Sequence, residues 1–543
     1  MVRFVALLLV FFTGTTVFGQ AQAAENTTWS SMFVVGILVL LLVLAFALAM
    51  IVDRMMKMTA GHVAPGSEDK FSIFPTQDEM VGVSRQGYVE SDKMHVLTKG
   101  HDILLQGEPV KTSVEVVRPS VVAIKPTDIR GIFPIPQMLV QVGDSVKAGD
   151  LIFQDKRHEG MKFASPVSGE IIDIVRGEKR AITAVHILVD GETKYREFNA
   201  PKLDAPREEL IDFMVHGGVW PFVRQRPYNV IADPAVKPVN IFVSTFDTAP
   251  LAPDSNVCIA GQEVAFQKGL DVLAKLTEGK VFLGLDARAD HAPVEAFAKA
   301  QNVERHWFKG AHPCGNVGIQ VHHIAPLNKG EVIWTIQYQD VVTIGSLFSN
   351  GKYNAERVVA LVGAELENPM YIRTFQGARV TDLVKLAGKK EGNIRLISGD
   401  VLTGRTTSES DFLDFYDNQL TAVQEGDYYE IFGWMLPLAP RPSVSPTFPT
   451  YLLKDFKFRA DTNTHGEERA FVVTGQYEEV LPMDIYPQYL FKAIITNDYD
   501  RMEGLGIYEL DEEDVALCEF VCTSKQPLQQ ILRKGLTMVQ EEG

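Results

Sequence analysis

The stretch "LIFQDKRHEGMKFASPVSGEI", Leu151–Ile171, reads as two short strands, a tip, and a Pro-Val-Ser-Gly turn. Biotin and lipoate carriers use such a hairpin to present a lysine at an exposed tip. Counting back from the Pro166 turn puts His158 where the carrier lysine belongs, with Lys156 and Lys162 out of register. An imidazole cannot form the lysine amide that holds either prosthetic group. The expectation is a barrel-sandwich hybrid (biotinyl/lipoyl-like) β module without its covalent arm, kept as a rigid docking or scaffold element.

The pattern extends outward from the hairpin. From Val96 to about Pro201 the chain alternates short apolar runs with turn residues, as at Gly143-Asp144 and Gly149-Asp150. We assign 93–205 to this module and 206–236 to a connector with a helix near Glu208–His216. Next, "VNIFVSTF" reads as a buried strand. "VAFQKGLDVLAKL" lines up Phe266, Leu270, Leu273 and Leu276 on one helical stripe, and "KVFLGLD" is a second strand. The alternation implies a parallel, Rossmann-like α/β module over 237–326. A mixed, β-grasp-like region follows over 327–417, in which "VTDLVKLAG" is a short helix stopped by Gly388. Residues 418–481 connect it to a C-terminal helical domain, 482–543. The fold class is multidomain α/β and α+β.

The 543 residues suffice for several cores, and a net charge of -17 would repel phosphate backbones, which argues against a nucleic-acid partner. Two apolar stretches precede the body. The first, within 1–23, ends in a small-x-small site at Ala21 and Ala23, as in a signal peptide; cleavage and retention as a span are both open. The second lies in segment 24–52. Its Met32–Val52 run holds 21 residues without a charge, enough at about 1.5 Å per residue to cross roughly 30 Å of hydrocarbon. This predicts an N-terminal transmembrane helix that contacts membrane lipid. Arg54 and Lys57 follow it and Glu25 precedes it, so the positive-inside rule puts the body in the cytoplasm. Residues 53–92 read as a linker.

Local chemistry names no reaction. "GDVLTGRT", 399–406, resembles a phosphate loop, but Arg405 stands where the loop lysine belongs, so a turn between strands is expected. No Gly-x-Gly-x-x-Gly follows the "VNIFVSTF" strand, so the dinucleotide site such a module often carries lacks its loop. "HPCGNVGIQVHH" offers His312, Cys314, His322 and His323, in no spacing that fits a closed metal site; read as a strand, it would point the two adjacent histidines to opposite sides. Cys518 and Cys522, four apart on an expected helix, share a face, and an iron–sulfur cluster would need Cys258 and Cys314 as well. No metal site is expected.

Several long stretches nevertheless agree in one order with a known family. They are "KGHDILLQGEP" (99–109), "GVWPFVRQRPY" (218–228), "IFVSTFDTAPLA" (241–252), "YQDVVTIGSLF" (338–348), "HGEERAFVVTGQYEEVLPMDI" (465–485), "LGIYELDEEDVALCEFVCTSK" (505–525) and "ILRKGL" (531–536). From residue 95 or so to the end, the chain resembles the A subunit of the sodium-translocating NADH:quinone oxidoreductases. The resemblance implies a non-flavin, cytoplasm-facing subunit of a complex that oxidises NADH, reduces ubiquinone or menaquinone, and pumps sodium across the bacterial inner membrane. It implies a subunit with no cofactor of its own, since NADH, flavins and iron–sulfur centres belong to partner subunits. Among those partners, the multi-span flavin-attached subunit is the main expected contact. The family subunit is implicated in quinone binding and complex assembly.

That expectation, joined to an α/β module without its nucleotide loop, points to the end of "IFVSTFDTAPLA". Phe246, Asp247 and Thr248 form the expected rim of a quinone cleft between the barrel-sandwich and Rossmann-like modules, with His312 of "HPCG" on the opposite wall. Phe246 would stack on the ring, and Thr248 or His312 would bond a carbonyl. Two departures from the family stand out: the first 90 or so residues are additional, and Cys314 replaces the alanine of the family's "HPAG", which would set a redox-sensitive thiol beside a passing quinone. Two other readings are a carrier or adaptor built on the biotinyl/lipoyl-like module and an iron–sulfur electron-transfer subunit of a ferredoxin-coupled complex. An added prosthetic mass marks the first, and visible absorbance marks the second.

Overall fold

The structure is a computed structural model, which describes residues 35–45, 48–49, 52, 55, 88–90, 93–131, 135–157, 161–430, 440–445, 448–453 and 455–542. The chain divides into two units, Met1–Arg85 and Gln86–Gly543. In the first, the described residues are helical, and large apolar side chains from Val35 to Leu48 are exposed. Among the described residues no helix is long and apolar enough to cross a membrane. The transmembrane expectation for Met32–Val52 is therefore not carried by the structure, because the run is described only in pieces. The segment 1–23, most of the 53–92 linker and the tip residue His158 lie outside the described residues.

In the second unit the chain enters two sheets before it reaches the barrel module. Strand β1 (Met94–Val96) runs parallel to a strand of the α/β module, and β2 (Val110–Val116) joins the sheet of the third module. The barrel-sandwich module follows, with β3 (Val121–Ile124), β4 (Gln137–Met138), β5 (Ser145–Val146), β6 (Leu151–Gln154), β7 (Lys162–Ala164), β8 (Gly169–Arg176) and β9 (Ile182–Val189). They form a four-stranded sheet, β3-β9-β8-β5, and a three-stranded sheet, β4-β6-β7. The opening hairpin is β6–β7, antiparallel, and its inward residues Ile152, Phe153 and Phe163 are almost fully buried. These inner residues form the module's core.

Helix α1 (Arg207–His216) realises the expected connector helix, and β10 (Arg224–Arg226) and β11 (Val230–Ile231) complete the connector. The α/β module then runs β12 (Ile241–Ser244), α2 (Ser255–Ile259), α3 (Glu263–Leu273), β13 (Val281–Asp286), α4 (Glu295–Ala298), β14 (Glu304–Lys309), α5 (Val317–Ile324), β15 (Ile333–Thr335) and α6 (Tyr338–Asn350). Its seven-stranded sheet has the order β1-β14-β13-β12-β15-β10-β11, parallel from β1 to β15. Strands buried on both faces account for the near-continuous apolar runs "IFV" and "VFLGL". Phe266, Leu270 and Leu273 pack inward from α3, while Leu276 is buried just beyond its end. Residues 317–324 are helical rather than extended, so His322 and His323 share the last turn of α5.

The third module comprises β16 (Glu356–Val362), β17 (Met370–Phe375), α7 (Val380–Ala387), β18 (Ile394–Ser398), β19 (Arg405–Thr407) and β20 (Gln419–Gln424), in the order β19-β18-β20-β16-β17-β2. Gly388 ends α7 as expected, and "GDVLTGRT" is the β18–β19 hairpin turn. The chain closes with α8 (Gln476–Val480), α9 (Pro487–Ile495), α10 (Tyr499–Gly504), α11 (Glu512–Val521) and α12 (Leu528–Glu542). Leu490, Phe491, Leu517, Leu532 and Leu536 from these helices share a core with Leu97, Phe308 and Ile319 of the α/β side.

Candidate functional site

The four expected site residues come together at the carboxyl ends of β12 and β14, where ligand sites in open parallel sheets usually lie. Beyond Ser244 the chain leaves the sheet in the turn 245–248. Thr245 fixes that turn by donating both its N–H and its hydroxyl to the Gly284 carbonyl, at 3.0 and 2.8 Å. On the β14 side, the loop 310–316 comes close enough that a Cβ on Gly315 would stand 2.8 Å from Thr248 N. A glycine is needed there, because two backbones meet.

Thr248 and His312 are in direct contact, with Oγ1 and Nδ1 3.0 Å apart, and the Gly315 N–H donates to the same Oγ1 at 3.1 Å. The His312 main chain is clamped by the segment after β1: its N–H donates to Asp102 at 2.8 Å, and its carbonyl accepts from the His101 N–H at 2.8 Å. His312 is 3% exposed, and its Nε2 has no hydrogen-bond partner. Burial is the largest cause that lowers its pKa, to about 4, against the pull of Asp400 and Asp102. The imidazole is therefore neutral near pH 7 and holds one unsatisfied ring nitrogen, a costly arrangement in a packed interior.

Asp247 is accessible, yet its carboxyl lies among protein atoms, and desolvation raises its pKa to about 6. It accepts the Ala249 N–H at 2.8 Å, a local turn cap. Phe246 is 7% exposed and belongs to the core shared with the C-terminal helices. The Arg288 guanidinium stands 5.5 Å over its ring and is itself held by Asp286 at 2.8 and 3.0 Å. Cys314 is fully buried, donates to the Gly310 carbonyl at 3.1 Å, and has its pKa pushed up to about 12 by burial. That thiol is closed to oxidants in this arrangement.

The neighbours of the site differ from expectation. Asp400, the charge that most raises the His312 pKa, sits on the β18–β19 turn of the third module, and Asp102 comes from the segment after β1. Third-module residues thus flank the loop after β12, where Gln419 of β20 donates to the Pro250 carbonyl at 3.3 Å. Arg288, Asp102 and Asp400 escaped sequence reading, although "LDARAD" after a parallel strand was a usable signal for Arg288.

Other candidate chemistry is structural. Cys522 caps α11 instead of lying within it, and its Sγ is 2.8 Å from the Tyr477 hydroxyl. All four cysteines are buried and free. Among the described residues no three His, Cys, Asp or Glu side chains are placed to hold a metal ion. A cleft of about 1160 Å³ contains none of the four expected residues; it is lined by the third module, the segment 428–469 that follows it, and the C-terminal helices.

Three domain families match consecutive parts of the chain: the NqrA N-terminal barrel-sandwich hybrid domain over 95–190, the NqrA second alpha/beta domain over 205–353, and the NQRA C-terminal domain over 358–409. The A subunit of the Na+-translocating NADH-quinone reductase of Saccharophagus degradans is 40% identical over 452 residues, covering 82% of this chain and 99% of that protein. The protein of the same name from Neisseria meningitidis serogroup B is 39% identical with the same coverage. Among solved structures, an air-oxidized NAD+-reducing [NiFe]-hydrogenase aligns over 56% of this chain and 54% of its own, at 11% identity and a TM-score of 0.31.

Proposed function

Because the chain belongs to the family of Na+-translocating NADH-quinone reductase A subunits, we propose that it is the non-flavin, cytoplasm-facing subunit of such a complex and that Thr248 and His312 help to hold its quinone. In this reading NADH, flavins and iron–sulfur centres are held by partner subunits, among which a multi-span flavin-attached subunit is the main contact. The observation that carries the quinone assignment is the orphan Nε2 of His312. With Thr248 Oγ1 accepting from Gly315, its hydroxyl proton turns to His312 Nδ1, which leaves the imidazole proton on Nε2. A buried, neutral N–H donor suits a quinone carbonyl, which accepts hydrogen bonds and carries no charge. The mutual repulsion of Asp247 and Asp400 near the site disfavours an anionic ligand.

The test is saturation-transfer NMR on the full chain with a short-chain ubiquinone analogue. His312→Ala is expected to weaken binding about tenfold, the worth of one buried hydrogen bond, while His312→Gln, which keeps a donor, recovers part of it. Phe246→Ala is expected to lower the melting temperature more than the affinity, since the ring is core. No binding by the wild-type chain would remove quinone from this subunit, and equal binding by wild type and His312→Ala would move the site elsewhere.

The apolar run Met32–Val52 supports a further reading, a single crossing that anchors the body to the inner membrane on the side of Arg54 and Lys57. At about 25 cal/mol per Å² of apolar area, moving such a run out of water is strongly favourable. Carbonate extraction is expected to leave the full chain in the membrane pellet when it is expressed without partners. Replacing Leu40, Leu42 and Leu44 by Asp should release it, and extraction of the unmodified chain would rule the anchor out.

A further inference from the structure

The cleft lined by the third module, the segment 428–469 and the C-terminal helices has walls of two kinds. Its apolar wall includes Val401 and Leu402 on the β18–β19 turn, Val444, and Phe520 on α11. Each is only partly buried, although it packs against the neighbouring core, so part of each side chain is left for the cleft. Phe456, 40% exposed, extends this wall toward the mouth.

The charged wall is mostly neutralised within the protein. Arg395 forms two bonds with Glu425, at 2.9 and 2.6 Å, and Arg459 forms two with Glu365, at 2.6 and 2.8 Å. Glu430 is matched by Arg441 at 2.9 Å and His465 at 3.1 Å. Lys525 is different. It lies half-buried in the wall, and no carboxylate among the described residues pairs with its ammonium; the Arg441 guanidinium near it is itself matched by Glu430. Burial lowers its pKa, and the Arg441 charge acts in the same direction. A half-buried ammonium in a cleft wall without a carboxylate partner is an arrangement that a bound anion would relieve. Glu467, Glu479 and Arg469 also belong to the lining but are exposed, while the half-buried Asp461 and Glu519 are engaged by His465 at 3.2 Å and by the Gln529 N–H at 2.8 Å.

We propose that this cleft binds a long-chain amphiphile with an anionic head, its chain lying on Val401, Leu402, Val444 and Phe520 and its head pairing with Lys525. A purely apolar ligand would leave the ammonium unmatched, and a small free anion would leave the apolar wall wet. The cleft exceeds the roughly 300–1,000 Å³ of ordinary ligand pockets, so a chain of about sixteen carbons fits with room for water at the head. The proposal is independent of the quinone assignment, because it uses none of Asp247, Thr248, His312 or Arg288.

The test uses the full chain in nanodiscs of neutral phosphatidylcholine and a diazirine-bearing sixteen-carbon fatty acid, with cross-linked peptides identified by mass spectrometry. Labels are expected on 397–404, 444–456 and 516–525. Unlabelled palmitate and hexadecyl phosphate should suppress them, whereas hexadecanol and inorganic phosphate at equal concentration should not. Lys525→Gln is expected to cut labelling about tenfold, the worth of one charge-assisted hydrogen bond, and Lys525→Arg to retain most of it. Melting curves of both variants report whether the fold is intact. Labelling confined to other segments, equal suppression by hexadecanol, suppression by inorganic phosphate alone, or unchanged labelling in a folded Lys525→Gln chain would each overturn the proposal.

Discussion

Arg226→Ala is expected to cost about 3–5 kcal/mol in chemical denaturation and to make the C-terminal helices the first part of the chain cut by protease. Arg226 stands on β10 and is 3% exposed. Its guanidinium reaches Asp514 at 2.7 Å and Glu513 at 2.6 Å, both in the first turn of α11. That turn reads Asp511-Glu512-Glu513-Asp514, four acids at a helix N-terminus, where the backbone dipole favours them. Asp511 and Asp514 also close a capping box. Arg533 of α12 reaches Asp511 at 2.8 Å, and Arg130 of the barrel-sandwich module reaches Glu512 at 2.8 Å. Arginines from three parts of the chain therefore converge on one helix end.

Removing Arg226 leaves Asp514, itself fully buried, with its charge uncompensated, and that desolvation penalty is the source of the large effect. The Arg226→Lys variant should recover little of the loss, since one ammonium cannot reach two carboxylates in a fork. Replacing the whole set, as Arg226→Met with Glu513→Gln and Asp514→Leu, should recover much more. The pH dependence has a definite sign. Burial holds the Glu513 pKa up to about 7 even with Arg226 present. A raised carboxyl pKa contributes stability below its unfolded value, and that contribution is lost as pH rises through the folded value. Without the arginine the pKa rises further, so the deficit of Arg226→Ala should be larger at pH 8 than at pH 5. A deficit under 1 kcal/mol, or one that grows toward acid, would show that the cluster is not a clamp.

Why was this clamp invisible in the sequence, when so much beside it was readable? Periodicity reports which face of an element is buried, and it placed β12, α3, β13 and the β6–β7 hairpin. Glycine chemistry likewise placed the end of α7. Contacts between remote segments leave no such trace. "DEED" reads as a solvated helix start until Arg226, 288 residues before Asp514, is brought to it. The same holds for the candidate site. Thr248 was legible beyond a buried strand and His312 in a family stretch, whereas Asp102 and Asp400 arrive just after β1 and on a turn of another module. Strand β1 itself is three residues long, too short for alternation to show. Residues 317–324 mix β-branched and helix-forming residues, and only packing decides that they form a helix. Phe246 illustrates the converse: an apolar residue in a polar loop suggests ligand contact, but burial against the C-terminal helices makes it core.

The remaining large effect concerns two helices whose backbones touch. Gly345 lies within α6 and Gly269 within α3. A Cβ on Gly345 would stand 1.8 Å from the Ala265 carbonyl oxygen and 2.6 Å from Gly269 N, and one on Gly269 would stand 2.1 Å from the Val341 carbonyl oxygen. Helix propensity alone favours Gly345→Ala by about 1 kcal/mol. Packing opposes it, because the obstacle is backbone and no side chain can swing aside. Overpacking costs about 1–3 kcal/mol and sometimes more, and a backbone obstacle this close puts it at the upper end, about 3 kcal/mol, so the sum is expected to be destabilising by roughly 2 kcal/mol. Gly504→Ala is the matched control: a Cβ there meets nothing within 4 Å, and no loss is expected. The consequence for function follows from what α6 joins. Gln339 bonds the Val358 backbone in both directions, at 2.9 and 3.0 Å, and Asp340 pairs with the buried Arg357. The helix therefore ties the α/β module to the third module, whose Asp400 acts electrostatically on His312. Pushing α6 off α3 should shift the Asp400 turn, so Gly345→Ala is expected to weaken quinone binding as well as stability, while Gly504→Ala lowers neither. Equal melting temperatures for Gly345→Ala and the wild type would mean that the helices part without cost and that the two modules are not held in register by this contact.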